Sequence, residues 1–264
     1  MKELVVTAEK VSLLGIDVHA VTMQVALDII EHAIDTRQQL QIGVVNAAKL
    51  VNMRRDANLQ ADVAASNLIL ADGIAVVWAS KLLRRPLPER VAGIDLMMGM
   101  LERGNRKGHA VYCLGASEEI SKRVETEVRR LFPNVRFAGR HHGYFSEADE
   151  AGIVADIATS RPDFLLVAMT SPKKEKFIAK HIQLMGVPVC HGVGGSFDVL
   201  AGKVARAPIL WQRLGLEWLY RLKQEPGRLW RRYLTTNTIF CAMVLSELCR
   251  GFFGTRRDNP LRKS

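Results

Sequence analysis

Leu68-Ile69-Leu70-Ala71-Asp72-Gly73-Ile74-Ala75-Val76-Val77-Trp78 sets the pattern for the rest of the chain. The short apolar run that ends at Ala71 suits a strand buried on both faces, and the segment from Ile74 onward suits a helix. Asp72-Gly73 therefore stands where a strand gives way to a helix, the edge at which open α/β sheets hold their ligands. Taken alone, the pair also reads as an ordinary turn whose aspartate caps the following helix. That helix is predicted over residues 73–84, with Trp78 and the leucines on its core face, and Arg84-Arg85-Pro86-Leu87-Pro88 breaks it.

The same alternation extends in both directions. Residues 11–18 read as a strand or hairpin arm, and Thr22 caps a helix that ends near Arg37. A strand at 41–45 stops at Asn46, which either reaches a ligand or caps the next helix. Strands follow at 67–70, 109–114, 135–138, 163–169 and 187–190, with helices between them. The helix after Ser117 has Ile120, Val124, Val128 and Leu131 on one stripe. Ser146 and Asp149 form a box-like helix start, and Ser171-Pro172 opens the helix after 163–169. At least five strand-then-helix repeats predict an α/β fold, a mostly parallel, Rossmann-like sheet with helices on both faces. Asn46, Asp72, Gly115, Thr170 and Gly194 then share one rim.

At 264 residues, with 48% hydrophobic and 24% charged residues, the chain can bury a full core. From Lys203 onward thirteen Lys and Arg face four acidic residues, so this segment carries +9 of the net +10. Two domains are expected, a catalytic core over 1–202 and a basic, helical, amphipathic C-terminal appendage over 203–264. Trp211, Leu214, Trp218, Leu219 and Leu222 are placed on one helical face, and Pro226 starts a further helix. The N-terminal ten residues lack the apolar core of a signal peptide, and no apolar stretch is long enough for a spanning helix. Cys113, Cys190, Cys241 and Cys249 show no metal spacing, and the adjacent His141 and His142 have no third ligand nearby. GxGxxG, GxxxxGK[ST] and GxSxG are all absent, which argues against a nicotinamide enzyme, an NTPase and a serine hydrolase. Gly192, Gly194 and Gly195 would let backbone amides approach an anion, so a phosphate-bearing substrate fits the rim.

Eight blocks, in one order across residues 11–235, resemble the WecG/TagA/CpsF family of bacterial glycosyltransferases. They are Asn46-Ala47, Ala71-Asp72-Gly73, Arg90-Val91-Ala92-Gly93-Ile94-Asp95, Gly143-Tyr144-Phe145, Ser171-Pro172-Lys173, Gly192-Val193-Gly194-Gly195, Arg206-Ala207-Pro208, and Leu214-Gly215-Leu216-Glu217-Trp218-Leu219-Tyr220-Arg221-Leu222. The resemblance implies inverting, metal-independent transfer of a hexose-type sugar from a UDP-sugar to a sugar on a polyprenyl diphosphate. Such a reaction belongs to exopolysaccharide, capsule or wall-polymer synthesis. The protein would then be peripheral on the inner, cytoplasmic face of the cell membrane, drawn to its anionic surface, with no cofactor and with room for a homo-oligomer.

By the same resemblance Asp72 is the general base and Asn46 positions it or the acceptor. Arg90, Gly115, Thr170, Ser171, Lys174, Gly192, Gly194 and Gly195 frame the substrates, and Arg206, Arg221 and Arg228 neutralise the departing diphosphate. Val44 replaces a threonine frequent in the family, and Lys174 replaces the glutamine of the SPKQE block. Two other readings are weighed against this one: a basic nucleic-acid-binding α/β protein, and a non-catalytic sugar-nucleotide-binding partner. The first is disfavoured because the tail's tryptophans cluster with leucines and no nucleic-acid module is present.

Overall fold

Two short strands, β1 (Lys10–Leu13) and β2 (Ile16–His19), pair antiparallel across a Leu14-Gly15 turn with both residues at positive φ. The computed structural model describes residues 1–254, apart from the side chains of Arg213, Arg228, Arg232 and residues 251–254. The chain continues through α1 (Met23–Asp35), β3 (Leu40–Val45), α2 (Ala47–Met53), α3 (Ala57–Ala64), β4 (Leu68–Ala71), α4 (Ile74–Leu82), α5 (Gly93–Lys107) and β5 (Ala110–Gly115). It then forms α6 (Glu118–Leu131), β6 (Arg136–His141), α7 (Glu150–Ser160), β7 (Phe164–Ala168), α8 (Lys173–Met185), β8 (Val189–Gly192) and α9 (Ser196–Leu200). Local chemistry places several boundaries. Thr22 accepts from the Val25 amide, Ser117 from the Ile120 amide, and Ser146 with Asp149 closes the box expected of them.

Strands β3 to β8 form one parallel sheet in the order β4-β3-β8-β7-β5-β6, so the α/β expectation holds. Alternate strand residues enter opposite cores, as period two requires. Leu68 and Leu70 of β4 join Ile30, Leu101 and Val124 of α1, α5 and α6, whereas Ile69 and Ala71 join Leu50, Val63 and Val77 of α2, α3 and α4. From β3 the chain moves out to β4, then crosses by α4 and α5 to the far side, while β8 arrives from that far side. The exits of β3 and β8 therefore border the crevice that a change of winding direction opens.

Four expectations are corrected. β8 runs to Gly192 rather than ending at Cys190, because Val167 pairs with Gly192 and keeps His191 in the sheet. Ser171 makes no cap; Pro172 holds the cap position of α8, and the Thr170 carbonyl accepts the Lys174 amide. Trp78 and Leu82 lie 53% and 56% exposed, not in the core, because α4 turns Val76, Val77, Ala79 and Ser80 inward instead. A helix apolar on every side gives no periodicity from which to choose. Lastly, the tail helix divides into α10 (Ile209–Arg213) and α11 (Glu217–Gln224), broken at Gly215 with φ +71°. A Cβ at Gly215 would stand 2.9 Å from Ile74, so the break seats the tail on the start of α4.

Pro226 opens α12 (Pro226–Gly254). This helix buries Leu229, Phe240, Met243 and Val244, and the last three share a core cluster with Leu50, Val51 and Val77. Among the described residues no helix is long and apolar enough to cross a membrane.

Candidate active site

Parallel pairing of β4 with β3 fixes the position of Asp72. Its amide extends the ladder by donating to the Val45 carbonyl at 2.9 Å, and the Val91 amide donates to the Ala71 carbonyl at 2.9 Å. The latter contact draws residues 91–93 over the end of β4, so α5 begins beside Asp72. Gly93 is the first residue of α5, where an amide has no partner within its own helix. It donates to Asp72 Oδ1 at 2.8 Å. The cap of α4 is Gly73, which supplies no side-chain bond. Asp72 thus serves a helix start, but of α5, across space, rather than of the helix that follows it in sequence.

Asn46 caps the next helix, one of its two readings from the sequence, and also reaches Asp72. Its Oδ1 accepts from the Lys49 amide at 3.0 Å and caps α2, while Nδ2 lies 3.4 Å from Asp72 Oδ2. The exits of β3 and β4 approach closely because position 73 is glycine; a Cβ there would be 3.0 Å from Asn46 Cβ. One carboxylate oxygen is held by a helix start and the other by a long amide contact. The carboxylate keeps lone pairs with which to accept a proton from a bound hydroxyl.

Three side chains that sequence reading did not assign complete this end of the rim. His191 is fully buried in β8, and its Nε2 is 3.2 Å from the Gly93 carbonyl. Burial pushes the imidazole down to about 4, so it is neutral, and the Gly93 carbonyl assigns its proton to Nε2. His191 thereby holds the residue that holds Asp72. Lys49 and Glu175 form an ion pair at 2.8 Å, and Lys174, only 7% exposed, lies 3.5 Å from Glu175. Burial, reinforced by the Lys49 charge, lowers the Lys174 ammonium to about 8 against the pull of Glu175 and Asp72. Burial alone would raise Glu175, but Lys49 and Lys174 outweigh it and hold that carboxyl down to about 2. The only sequence hint was the lysine at 174; Lys49 and Glu175 are 126 residues apart.

The glycines differ in purpose. Gly192 is filled by its neighbour, since a Cβ would stand 2.7 Å from Lys174 Cδ and Cε; it makes room for a lysine rather than for a phosphate. A Cβ on Gly194 or Gly195 would meet nothing within 4 Å, which leaves this turn open to a ligand. Gly115, at φ +127°, is required by the carbonyl of Ala168 against which it packs. Three strands separate β4 from β5, so Gly115 is four strand spacings, roughly 19 Å, along the rim from Asp72. Thr170 and Ser171 are exposed on the β7 exit between them. Lys173 donates to the Gly143 and Phe145 carbonyls at 3.1 and 3.2 Å and ties that loop to the rim.

Of the arginines, Arg90 and Arg206 are engaged. Arg90 bonds Glu217 at 2.9 Å and lies 3.9 Å from Asp95; Arg206 bonds Asp95 at 2.5 Å and lies 4.0 Å from Glu217. This ring of alternating charge fastens α11 to the start of α5. Arg221 has no ion pair among the described residues and, with Gly195, Asp198, Val204 and Leu229, lines a cleft between the Gly194-Gly195 turn and the tail. The Arg228 side chain lies outside the described residues. Among the described residues no three His, Cys, Asp or Glu side chains are grouped to hold a metal.

The arrangement suits a base at one end of the rim and an anion near its middle. Over 189 residues the chain is 40% identical to a Bacillus spizizenii protein named N-acetylglucosaminyldiphosphoundecaprenol N-acetyl-beta-D-mannosaminyltransferase, covering 71% of this chain and 72% of that one. A Bacillus subtilis protein of the same name is 37% identical over 205 residues, 78% of this chain and 79% of its own. The model of the glycosyl transferase WecG/TagA/CpsF family matches residues 11–252, and the chain belongs to that family.

Proposed function

We propose that this protein is an inverting transferase that moves a sugar from a UDP-sugar to a hydroxyl of a sugar carried on a polyprenyl diphosphate. The observation that carries the proposal is the hydrogen-bonded setting of Asp72, on the rim that also holds the open Gly194-Gly195 turn. Asp72 accepts the proton of the acceptor hydroxyl, the freed oxygen attacks the anomeric carbon, and the bond from that carbon to UDP breaks. Attack from the face opposite UDP inverts the centre. Asn46 steadies the carboxylate. Arg221 supplies charge to the departing diphosphate, joined by Arg90 and Arg206 if the substrate displaces their carboxylate partners. The names of the relatives favour an N-acetylmannosamine donor and an N-acetylglucosamine acceptor on undecaprenyl diphosphate. Work on such an acceptor takes place at a membrane surface, to which the basic tail is suited.

A donor screen with a short-chain N-acetylglucosaminyl lipid diphosphate tests this reading. UDP-N-acetylmannosamine is expected to give product, and Asp72→Asn to abolish most of it while UDP still binds. If no UDP-sugar gives product with the intact chain, the protein is a binding partner and not a transferase. If the uronate form of the donor is preferred, Lys174 is the residue to exchange, because its buried charge is the one cation close to Asp72 that sequence analysis sets apart from the family pattern.

A further inference from the structure

The outward side of α4 carries an apolar stripe. Ile74, Trp78 and Leu82 recur every four residues and so lie on one stripe, with Trp78 and Leu82 more than half exposed. Ile74 packs against the core, and the opposite face is used by the core, so Trp78 and Leu82 are the part of this stripe that folding leaves exposed. Elements of the tail meet α4 at both ends. Gly215 rests on Ile74 at its start, and just past its end Arg85 bonds Glu247 of α12 at 3.0 Å. Beside these contacts Leu214 and Leu245 are also more than half exposed. Core and tail thus both expose large apolar side chains next to the contacts that join them. At the far end of the stripe Lys81 and Arg84 are exposed, and neither has an ion pair among the described residues.

We propose that α4, a helix of the catalytic core, lies on an anionic lipid bilayer beside α10, α11 and the outer side of α12, and so sets the distance of Asp72 from the membrane. The proposal rests on the reading that the acceptor is lipid-linked, and extends it from the tail to the core. Tryptophan with flanking Lys and Arg is the composition of an interfacial helix. A second copy of the chain is a poorer occupant. Two-fold pairing of this face would gather both copies of Lys81, Arg84 and the tail cations into one interface, whereas anionic headgroups neutralise them. The placement has a consequence for the reaction. Asp72 precedes α4 by two residues, and Ile74 to Trp78 spans about 6 Å along the helix. A helix resting at the headgroups therefore keeps the base within reach of a sugar held there by its diphosphate.

Flotation with phosphatidylglycerol-containing vesicles tests the inference. The W78S/L82S variant is expected to partition about tenfold less than wild type. Its kcat and KM on a water-soluble, short-chain acceptor should stay unchanged. Equal partitioning of variant and wild type overturns the proposal, as does equal wild-type binding to vesicles of phosphatidylcholine alone. A change of oligomeric state in the variant with vesicle binding retained assigns the face to a second copy and also overturns it. A second measurement uses the W211F/W218F/W230F chain, in which Trp78 is the sole tryptophan. A blue shift and reduced acrylamide quenching on adding vesicles are expected; an unchanged spectrum is contrary. Vesicle binding without sugar transfer would leave this inference standing and remove the transferase reading. Transfer to the short-chain acceptor without vesicle binding would do the reverse.

Discussion

Lys49, Glu175 and Lys174 on the rim are nearly buried and joined by contacts of 2.8 and 3.5 Å, whereas Arg221 and Lys223 on α11 are exposed and have no ion pair among the described residues. The same kinds of charge are thus used in opposite ways. On the rim Lys49 of α2 is paired with Glu175 of α8, which Lys174 of the same helix also approaches, so these side chains are held in direction before a substrate arrives. On α11 the charges of Arg221 and Lys223 are left uncommitted and can be supplied to an anion that comes later. Apolar residues divide likewise: Phe240, Met243 and Val244 of α12 point into the core, while Trp230 and Leu234 of the same helix point out. The tail is therefore partly a wall of the core and partly a surface, and a cut near residue 202 would bare the α2 and α4 faces that α12 covers.

This contrast can be broken at four points. Asp72→Asn should lower turnover by roughly 10²–10⁴-fold with UDP affinity retained; steady-state rates and UDP titration decide it, and normal turnover would move the chemistry off this end of the rim. Phe240→Ala should cost about 3–5 kcal/mol in urea unfolding. A loss below about 1 kcal/mol would mean that α12 is separable from the core after all.

The third point is a pH dependence. Lys174 sits near 8 in the folded protein against 10.5 for a free lysine. Between those values the unfolded chain still holds a proton that the folded chain has released, so this group's contribution to stability rises with pH across that window. Lys174→Met should remove a rise on the order of 3 kcal/mol. The measurement is the wild-type minus variant stability at pH 7 and at pH 10. A constant difference would show that the rim charges are less firmly set than those contacts imply. Smallest, Arg221→Gln should reduce kcat/KM roughly tenfold with unfolding unchanged. A loss of stability instead would show that Arg221 helps to hold the tail in place.

Much of the fold was legible because its signals are local. Thr22, Ser117 and Ser146 lie next to the helices they cap, and the run before Asp72 declares a buried strand from its own composition. What stayed hidden was non-local or lacked contrast. His191 reads as one more residue after a strand until pairing with β7 takes it into the sheet. The face of α4 could not be chosen from a segment apolar all round, and the single tail face was lost to a positive φ at Gly215.

The sequence by itself determined the parallel α/β architecture, the position of Asp72 and Asn46 at strand exits, and the concentration of charge after Lys203. Each follows from periodicity, capping chemistry or composition, which act over a few residues. Only the tertiary structure decided which helix Asp72 caps, which arginines are already paired, and that Lys49 stands beside Glu175. Those outcomes depend on the order in which strands assemble, and strand order is set by the packing of the whole sheet.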